Sequence, residues 1–418
     1  MPAAGSPLVA TTYSYVVVWL LLVLAWMTNF TIRVGFSALL PPLMRELQLS
    51  YTAAGVLASA YFYAYALLQL PAGVLGDRFG RRRILLIGLV VGAMACAGTG
   101  LVGSFTALFV ARLLTGGAHA SLFSNDRAII AAITPPEKLA LGQAVSFSGP
   151  GLGLLLGLAL GGVLGDWLSW RTTLQVFALG PLVAALLVAR FVPALPLPSE
   201  AGRLSARVKG VLRERALWII GAASACGIFV QFQLATWGPL FFMEAGVNDV
   251  ALAGLYAGLQ GLAAIGGLVM GGWVADAMHR RGVARRSMMA VSLCALGVAT
   301  LGLAVALSRY PSPLTVGVTM VLASFCVWST WGPAYALIAE LTPASNVATA
   351  FGLCNSLSFV GAMVGPAVTG VLRDVTGSFS ASCDLGAAVA AAGALTALTV
   401  RPSRGRTPTS GDASVAHV

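Results

Sequence analysis

The sequence predicts an all-helical membrane protein, about twelve transmembrane helices arranged as two six-helix repeats, on three observations. Charged residues are scarce, apolar runs reach the thickness of a bilayer, and the two halves of the chain repeat each other's glycines and charges. Of 418 residues, 58% are hydrophobic and only 9% charged, with a mean hydropathy of +0.88. A soluble protein carries roughly a quarter charged residues, so these are too few to coat globular surfaces in water. A water-soluble enzyme is excluded, and lipid is the solvent. Bilayers admit helices and closed barrels, and the apolar runs of about 20 residues lack the two-residue alternation of a barrel strand.

The runs lie near residues 14–40, 51–73, 84–103, 106–130, 140–163, 171–192, 215–238, 251–273, 287–308, 313–338, 348–371 and 382–400. No Lys or Arg precedes Arg33 and no cleavage pattern is present, so Tyr13 onward reads as the first span and not as a signal peptide. An even number of spans puts both termini on one face. That face holds Arg78, Arg81, Arg82, Arg83, Lys138, Arg203, Arg207, Lys209, Arg213, Arg215, Arg280, Arg281, Arg285, Arg286, Arg401, Arg404 and Arg406, against Arg45, Arg171, Arg309 and Arg373 on the other. By the positive-inside rule both termini are expected in the cytoplasm, the protein being multi-pass in an inner or plasma membrane.

The same topology accounts for the net charge of +11, from 25 Lys plus Arg against 14 Asp plus Glu. No basic stripe interleaved with aromatics appears, so nucleic acid is not an expected partner. The longest polar connection divides the chain into an N-terminal bundle (1–192), a cytoplasmic linker (193–213), a C-terminal bundle (214–400) and a cytoplasmic tail (401–418). Cys96, Cys226, Cys294, Cys326, Cys354 and Cys383 lie in or beside apolar segments without metal or disulfide spacing, and read as small packing residues.

The halves repeat. A shift of 199 positions lays Gly55 on Gly254, Gly73 on Gly272, Asp77 on Asp276, Arg81 on Arg280 and Arg82 on Arg281. A shift of 208 lays Gly153 on Gly361, Gly157 on Gly365, Gly162 on Gly370 and Asp166 on Asp374. One glycine match among 49 glycines is chance, whereas a common offset that includes an acid and paired arginines is not. Two six-helix repeats with a site between them near the midplane is a transporter plan.

The most specific stretch is Gly73-Val-Leu-Gly-Asp77-Arg78-Phe-Gly80-Arg81-Arg82-Arg83, in the turn between spans two and three. Its glycines let helices approach, Asp77 can pair with a cation or a helix N-terminus, and the arginines hold the turn inside. This stretch resembles the signature of the major facilitator superfamily, and Gly272-Trp-Val-Ala-Asp276-Ala-Met-His-Arg280-Arg281 stands where that family has its second copy. The resemblance covers residues 14–400. It implies a gate latch in which Asp77, Arg78, Arg81, Asp276 and Arg280 take part; the competing reading is that these charges only fix topology.

A narrower resemblance lies in Ser59-Ala-Tyr-Phe-Tyr-Ala-Tyr65-Ala-Leu-Leu-Gln69-Leu-Pro71-Ala-Gly73 and Arg112-Leu-Leu-Thr-Gly116-Gly-Ala-His119. Both are similar to the anion:cation symporter branch, which carries sugar acids and other organic anions with protons. That branch has an Asp-Arg pair late in span one, here Ile32-Arg33, and a Glu seven residues after the span-four Arg, here His119. The arginines match and the acids do not.

Buried charge supports the same reading independently. Arg33 and Arg112 lie inside apolar spans, where an ionised side chain costs about 2.5 to 3.5 kcal/mol on insertion scales and faces a cavity or a partner. Arg112, His119 and Asp126 recur every seven residues, which on one helix puts them on one face as a polar track. His119 is the candidate proton carrier because imidazole titrates near neutrality, with Asp126 as the second. Against this stand hydrogen bonding of His119 inside the bundle and pairing of Asp126 with Arg127 or nearby basic residues.

In span five, Gly153-x3-Gly157-Leu158-x2-Gly161-Gly162 resembles a pattern of proton antiporters, with Leu158 in place of its proline, and reads as small-residue packing. The second half offers Gln231, Gln233 and Trp237 on span seven, Trp328 on span ten and Asn355 on span eleven; with Tyr65 these are the uncharged candidates for the substrate wall. Trp328 reads equally as core. Glu340 reads as structural or gating. No Gly-Lys-Ser/Thr phosphate loop is present, and no cofactor or metal is expected.

The expectation is therefore a monomeric, proton-coupled symporter of a small organic carboxylate working by alternating access. Arg33 and Arg112 would hold the anion, and protons and the bilayer are its other partners. The competing function is proton-driven efflux of a drug-like or metabolite compound with Asp126 as the acid.

Overall fold

The computed structural model describes residues 14–135, 138–195, 210–343 and 346–401. The expected basic residues Arg203, Arg207, Lys209, Arg404 and Arg406, most of the linker and nearly all of the tail lie outside the described residues. Sixteen helices lie wholly among the described residues, the spans helical because in lipid each backbone N–H and C=O must be satisfied within its own segment. In chain order they are α1 (Tyr15–Ala38), α2 (Leu40–Leu47), α3 (Tyr51–Phe79), α4 (Arg81–Thr99), α5 (Phe105–His119), α6 (Ser121–Ile133), α7 (Leu139–Ser146), α8 (Gly149–Trp167) and α9 (Trp170–Phe191). The second half holds α10 (Arg215–Glu244), α11 (Val250–Arg280), α12 (Arg285–Arg309), α13 (Pro313–Ser329), α14 (Trp331–Leu341), α15 (Val347–Thr376) and α16 (Ser380–Leu398).

Nine of these helices are complete spans, and three expected spans are each delivered as two pieces: α5 with α6, α7 with α8, and α13 with α14. Eleven stretches are long and apolar enough to cross a membrane as one run. The fourth expected span is not among them; it carries Arg112, His119, Asp126 and Arg127 and bends at Ala120 into pieces of 15 and 13 residues. Its partner in the second repeat, span ten, breaks at Thr330, where the threonine hydroxyl bonds back to the Val327 carbonyl at 2.7 Å. Such back-bonding competes with the helical ladder and bends it.

Glycines set how closely these helices approach. On α8, an added Cβ at Gly153 would lie 2.5 Å from the Met27 carbonyl and one at Gly157 2.9 Å from the Thr31 carbonyl, so this stripe seats α8 on α1. The two halves also meet backbone to backbone. A Cβ at Gly254 of α11 would lie 2.7 Å from the Leu158 carbonyl, and one at Gly55 of α3 would lie 2.4 Å from the Pro366 carbonyl of α15.

The ends of the bundle differ. We call the end bearing Gly73 to Arg83 the motif face. At the other end, the Asp374 carboxylate accepts hydrogen bonds from Tyr51 N (3.1 Å), Thr52 N (2.8 Å) and the Thr52 hydroxyl (2.7 Å), tying α15 to the N-terminus of α3. A carboxylate there satisfies orphan N–H groups and complements the helix dipole. At the motif face Asp77 pairs with Arg81, and Asp276 and Glu340 pair with Arg285, each within its own half. The conformation is closed at the end opposite the motif.

Candidate functional site

The centre of the N-terminal half is built by one close approach. A Cβ at Gly116 of α5 would lie 1.9 Å from the Tyr61 carbonyl oxygen, so only glycine lets α5 reach α3 at this level. That contact brings the Tyr61 hydroxyl between two polar side chains. It accepts from Arg33 Nε at 3.1 Å and lies 2.9 Å from His119 Nδ1, with Asn29 Oδ1 at 3.5 Å. Gly92 on α4 makes room for the imidazole: a Cβ there would meet the ring at 2.4 Å.

Arg33 is 2% exposed, and its guanidinium sits in a cage of rings, 4.3 Å from the centroid of Tyr65, 4.6 Å from Phe30, 5.0 Å from Tyr61 and 5.7 Å from Phe359. Arg112 is 3% exposed and lies over Phe36 (4.2 Å) and Tyr61 (5.1 Å). Ring faces attract cations, but only partly offset the loss of water around two charges. Among the described residues neither arginine has a carboxylate partner, and Arg33 Nη2, Arg112 Nε and His119 Nε2 are buried without a hydrogen bond. Two buried cations side by side without an acid make a centre with uncompensated positive charge.

The second half closes over this centre with rings. Phe62 and Phe232 lie 4.3 Å apart, Tyr65 and Phe359 4.7 Å, and Phe30 and Trp328 6.3 Å. Phe147, in the bend between α7 and α8, reaches Trp328, Trp331 and Tyr335 at 6.2 to 6.4 Å. Asn355 Nδ2 crosses the interface to Gln69 Oε1 at 3.0 Å. Gln231 lines a cavity of about 10 Å³ with Trp331 and Thr330, room for about one water.

The structure thus brings Arg33, Arg112, His119 and Tyr65 together and places Trp328, Asn355 and Gln231 on the facing half. Gln233 and Trp237 are not brought to this centre. Gln233 Nε2 donates to the Ser382 carbonyl (2.7 Å) between α10 and α16, and Trp237 Nε1 to the Pro366 carbonyl (3.0 Å) beside Tyr51 and Phe379. Both lock helices together because a buried donor must find an acceptor.

Along the expected seven-residue track His119 and Asp126 have different partners. Asp126 lies on α6, past the bend at Ala120, still facing α1 but in a cluster of its own. Its carboxylate is fully buried and accepts from Trp26 Nε1 (2.9 Å), Arg127 Nε (2.8 Å) and the Ser146 hydroxyl (3.0 Å).

At the motif face, Arg81 pairs with Asp77 across the Gly80 turn and donates to the Ser124 carbonyl at 3.3 Å. Arg78 is exposed, over the Phe79 ring. In the second copy, Asp276 pairs with Arg285 (2.9 Å) rather than with Arg280, which is exposed and unpaired among the described residues. Arg285 also binds Glu340. The sequence reading missed Tyr61 and Asn29 as members of the centre, and Arg285 as the partner of Asp276. A usable signal existed: Asn29 and Arg33, and Tyr61, Tyr65 and Gln69, recur at four-residue steps, which share a helix face.

A polytopic bundle of two repeats that encloses polar, charged side chains between its halves defines a membrane transporter, not an enzyme. The family model described as Major Facilitator Superfamily matches residues 18–366 and 280–417, and the chain belongs to that superfamily. Among curated proteins it is 25% identical over 401 residues to the hexuronate transporter of Bacillus subtilis (strain 168), covering 93% of this chain and 95% of that one. It is 26% identical to the probable L-galactonate transporter of Escherichia coli (strain K12), covering 90% of this chain and 87% of that one. The crystal structure of a D-xylose-proton symporter superposes with a TM-score of 0.76 at 16% identity, over 94% of this chain and 100% of that one, which shows the shared fold.

Proposed function

We propose that this transporter moves a small organic anion, a carboxylate, together with protons, as a monomer working by alternating access. The observation that carries this reading is the pair of buried guanidiniums at Arg33 and Arg112 without an acidic partner, beside a titratable His119. A cargo carboxylate would accept from the free N–H groups and supply negative charge that the centre lacks. Further support comes from the two curated relatives, whose named cargoes are carboxylates, and from the resemblance of the Tyr61 and Arg112 segments to the anion:cation symporter branch. A cationic cargo fits poorly, since the central charges are positive and Asp126 is already engaged by Arg127.

Coupling is assigned to His119. Its protonated ring and a bound carboxylate stabilise each other, so each favours binding of the other, as linkage requires. Tyr61 connects His119 to Arg33 and so transmits the state of one to the other. The motif face is assigned to the cytoplasm together with both termini, and the chain divides into bundles 1–192 and 214–400 joined by a cytoplasmic linker. Opening toward the outside would then break the bonds of Asp374 to Tyr51 and Thr52, while Asp77, Arg78, Arg81, Asp276 and Arg280 would act in the gate on the inside.

The test is made in liposomes holding the full chain. His119→Gln keeps hydrogen bonding but cannot titrate, so it should abolish accumulation driven by an inward proton gradient while counterflow of anion survives. Gradient-driven accumulation by His119→Gln equal to wild type would move the coupling proton elsewhere.

A further inference from the structure

We propose, building on the reading of the centre as a carboxylate site, that the body of the cargo is a flat aromatic ring and not a polyhydroxylated chain. The first ground is the surface that the halves present to each other. At mid-depth Phe30, Phe62 and Tyr65 from the first half meet Trp328, Phe232 and Phe359 from the second, at centroid distances from 4.3 to 6.3 Å. When the halves part to admit a cargo, these ring faces become the walls above the arginines. An aromatic cargo replaces each ring contact that is lost with an equivalent offset or edge contact. A polyol sets hydroxyls against ring faces and returns less.

The second ground is the sex of the unpaired polar atoms. Most of the buried groups without a partner in and around the centre are donors: Asn29 Nδ2, Arg33 Nη2, Gln69 Nε2, Arg112 Nε, Trp328 Nε1 and Trp331 Nε1, while His119 Nε2 and the hydroxyls of Ser59 and Tyr335 can donate or accept. Gln231 Oε1 is the unpaired acceptor among these side chains, and the buried acid Asp126 is taken up by Trp26, Arg127 and Ser146. Every hydroxyl of a sugar acid brings an O–H that needs an acceptor as well as an oxygen that needs a donor. This centre offers more donors than acceptors, so it serves the oxygens better than the hydrogens. A ring carboxylate makes no such demand, and a ring carbonyl or nitrogen would accept from the indole N–H groups. The cargoes named for the hexuronate and galactonate relatives are polyhydroxylated, so this chain would have kept their fold and changed the body of the cargo.

The experiment is equilibrium binding of radiolabelled benzoate to the full chain in liposomes, competed by unlabelled galactonate, the two being single carboxylates. Benzoate should bind at least about tenfold more tightly, the cost of leaving one or more hydroxyl donors unmatched. Phe359→Leu, which keeps apolar volume and removes a ring, should narrow that ratio, and Arg112→Gln should abolish benzoate binding. Galactonate binding as tightly as benzoate, and lost in Arg112→Gln, overturns the aromatic cargo and leaves the anion site standing. An unchanged ratio in folded Phe359→Leu also counts against the ring wall; should that variant fail to fold, the wild-type ratio decides alone. Absence of binding by both acids, or benzoate binding indifferent to Arg33→Gln and Arg112→Gln, overturns the anion site itself and this inference with it.

Discussion

Span four and span ten hold equivalent places in the two repeats and break at equivalent points, Ala120 and Thr330, yet they present different chemistry at that level. Before its break α5 carries Arg112 and His119, whereas α13 and α14 carry Trp328 and Trp331 on either side of theirs. The shared break preserves the backbone plan, while the side chains have parted into a charged half and an aromatic half. An interface between unlike halves gives a cargo an orientation: the charge is held by one half and the body lies against the other. Symmetric repeats could bind but would not by themselves distinguish the two ends of a cargo.

This division is broken most severely by removing a cation. Arg112→Gln deletes the charge and Arg112→Lys keeps a point charge without the planar two-donor fork, so both should lose most anion uptake, the glutamine variant more. Uptake assays on reconstituted protein check this, and wild-type rates in both variants would remove Arg112 from the site. The corresponding change in the other half, Gln231→Ala, removes an unpaired neutral acceptor that could offer a cargo one hydrogen bond of about 1 kcal/mol, and should weaken uptake by roughly tenfold at most.

A smaller effect separates the two halves by packing. Gly116→Ala puts a methyl 1.9 Å from the Tyr61 carbonyl, so the backbone must move, with a cost of about 1 to 3 kcal/mol and displacement of the Tyr61 hydroxyl from Arg33 and His119. Thermal unfolding in detergent and uptake should both fall. Gly272→Ala in the second half meets nothing within 4 Å and should be silent or slightly stabilising, because alanine favours helix over glycine.

The third test separates the anion centre from its neighbour. Asp126→Asn strips the partner from Arg127, and breaking a buried pair costs about 3 to 5 kcal/mol, at the lower end here because the Arg127 side chain is 24% exposed. A fall in melting temperature is expected, with the pH dependence of the surviving anion transport unchanged. Altered pH dependence at unchanged stability would instead return Asp126 to the list of proton carriers.

Much of this molecule was legible in the chain. Spans, repeats and the motif face follow from hydropathy, offset glycines and arginine placement, because in a bilayer every exposed charge carries a large penalty and leaves a trace in composition. Arg33, Arg112 and His119 stood out for the same reason. Tyr61 did not, since a tyrosine in an apolar span is unremarkable until Gly116 brings α5 close enough for its hydroxyl to join two other side chains. Gln233 and Trp237 were misplaced because uncharged polar residues in a span serve equally as cavity wall and as a lock between helices, and only the position of the acceptor tells which.

What the sequence determined by itself is the kind of solvent, the number of spans, the repeat and the residues too costly to bury without a purpose. Tertiary structure alone decided their company. Packing gives His119 to Tyr61 and Asp126 to Trp26, Arg127 and Ser146, the turn after α11 gives Asp276 to Arg285 rather than Arg280, and helix crossings set rings of one half against rings of the other. Burial of a charge is a one-body cost that composition records. Its partner is a two-body fact, fixed by helix rotation and close approach across stretches of chain far apart in sequence.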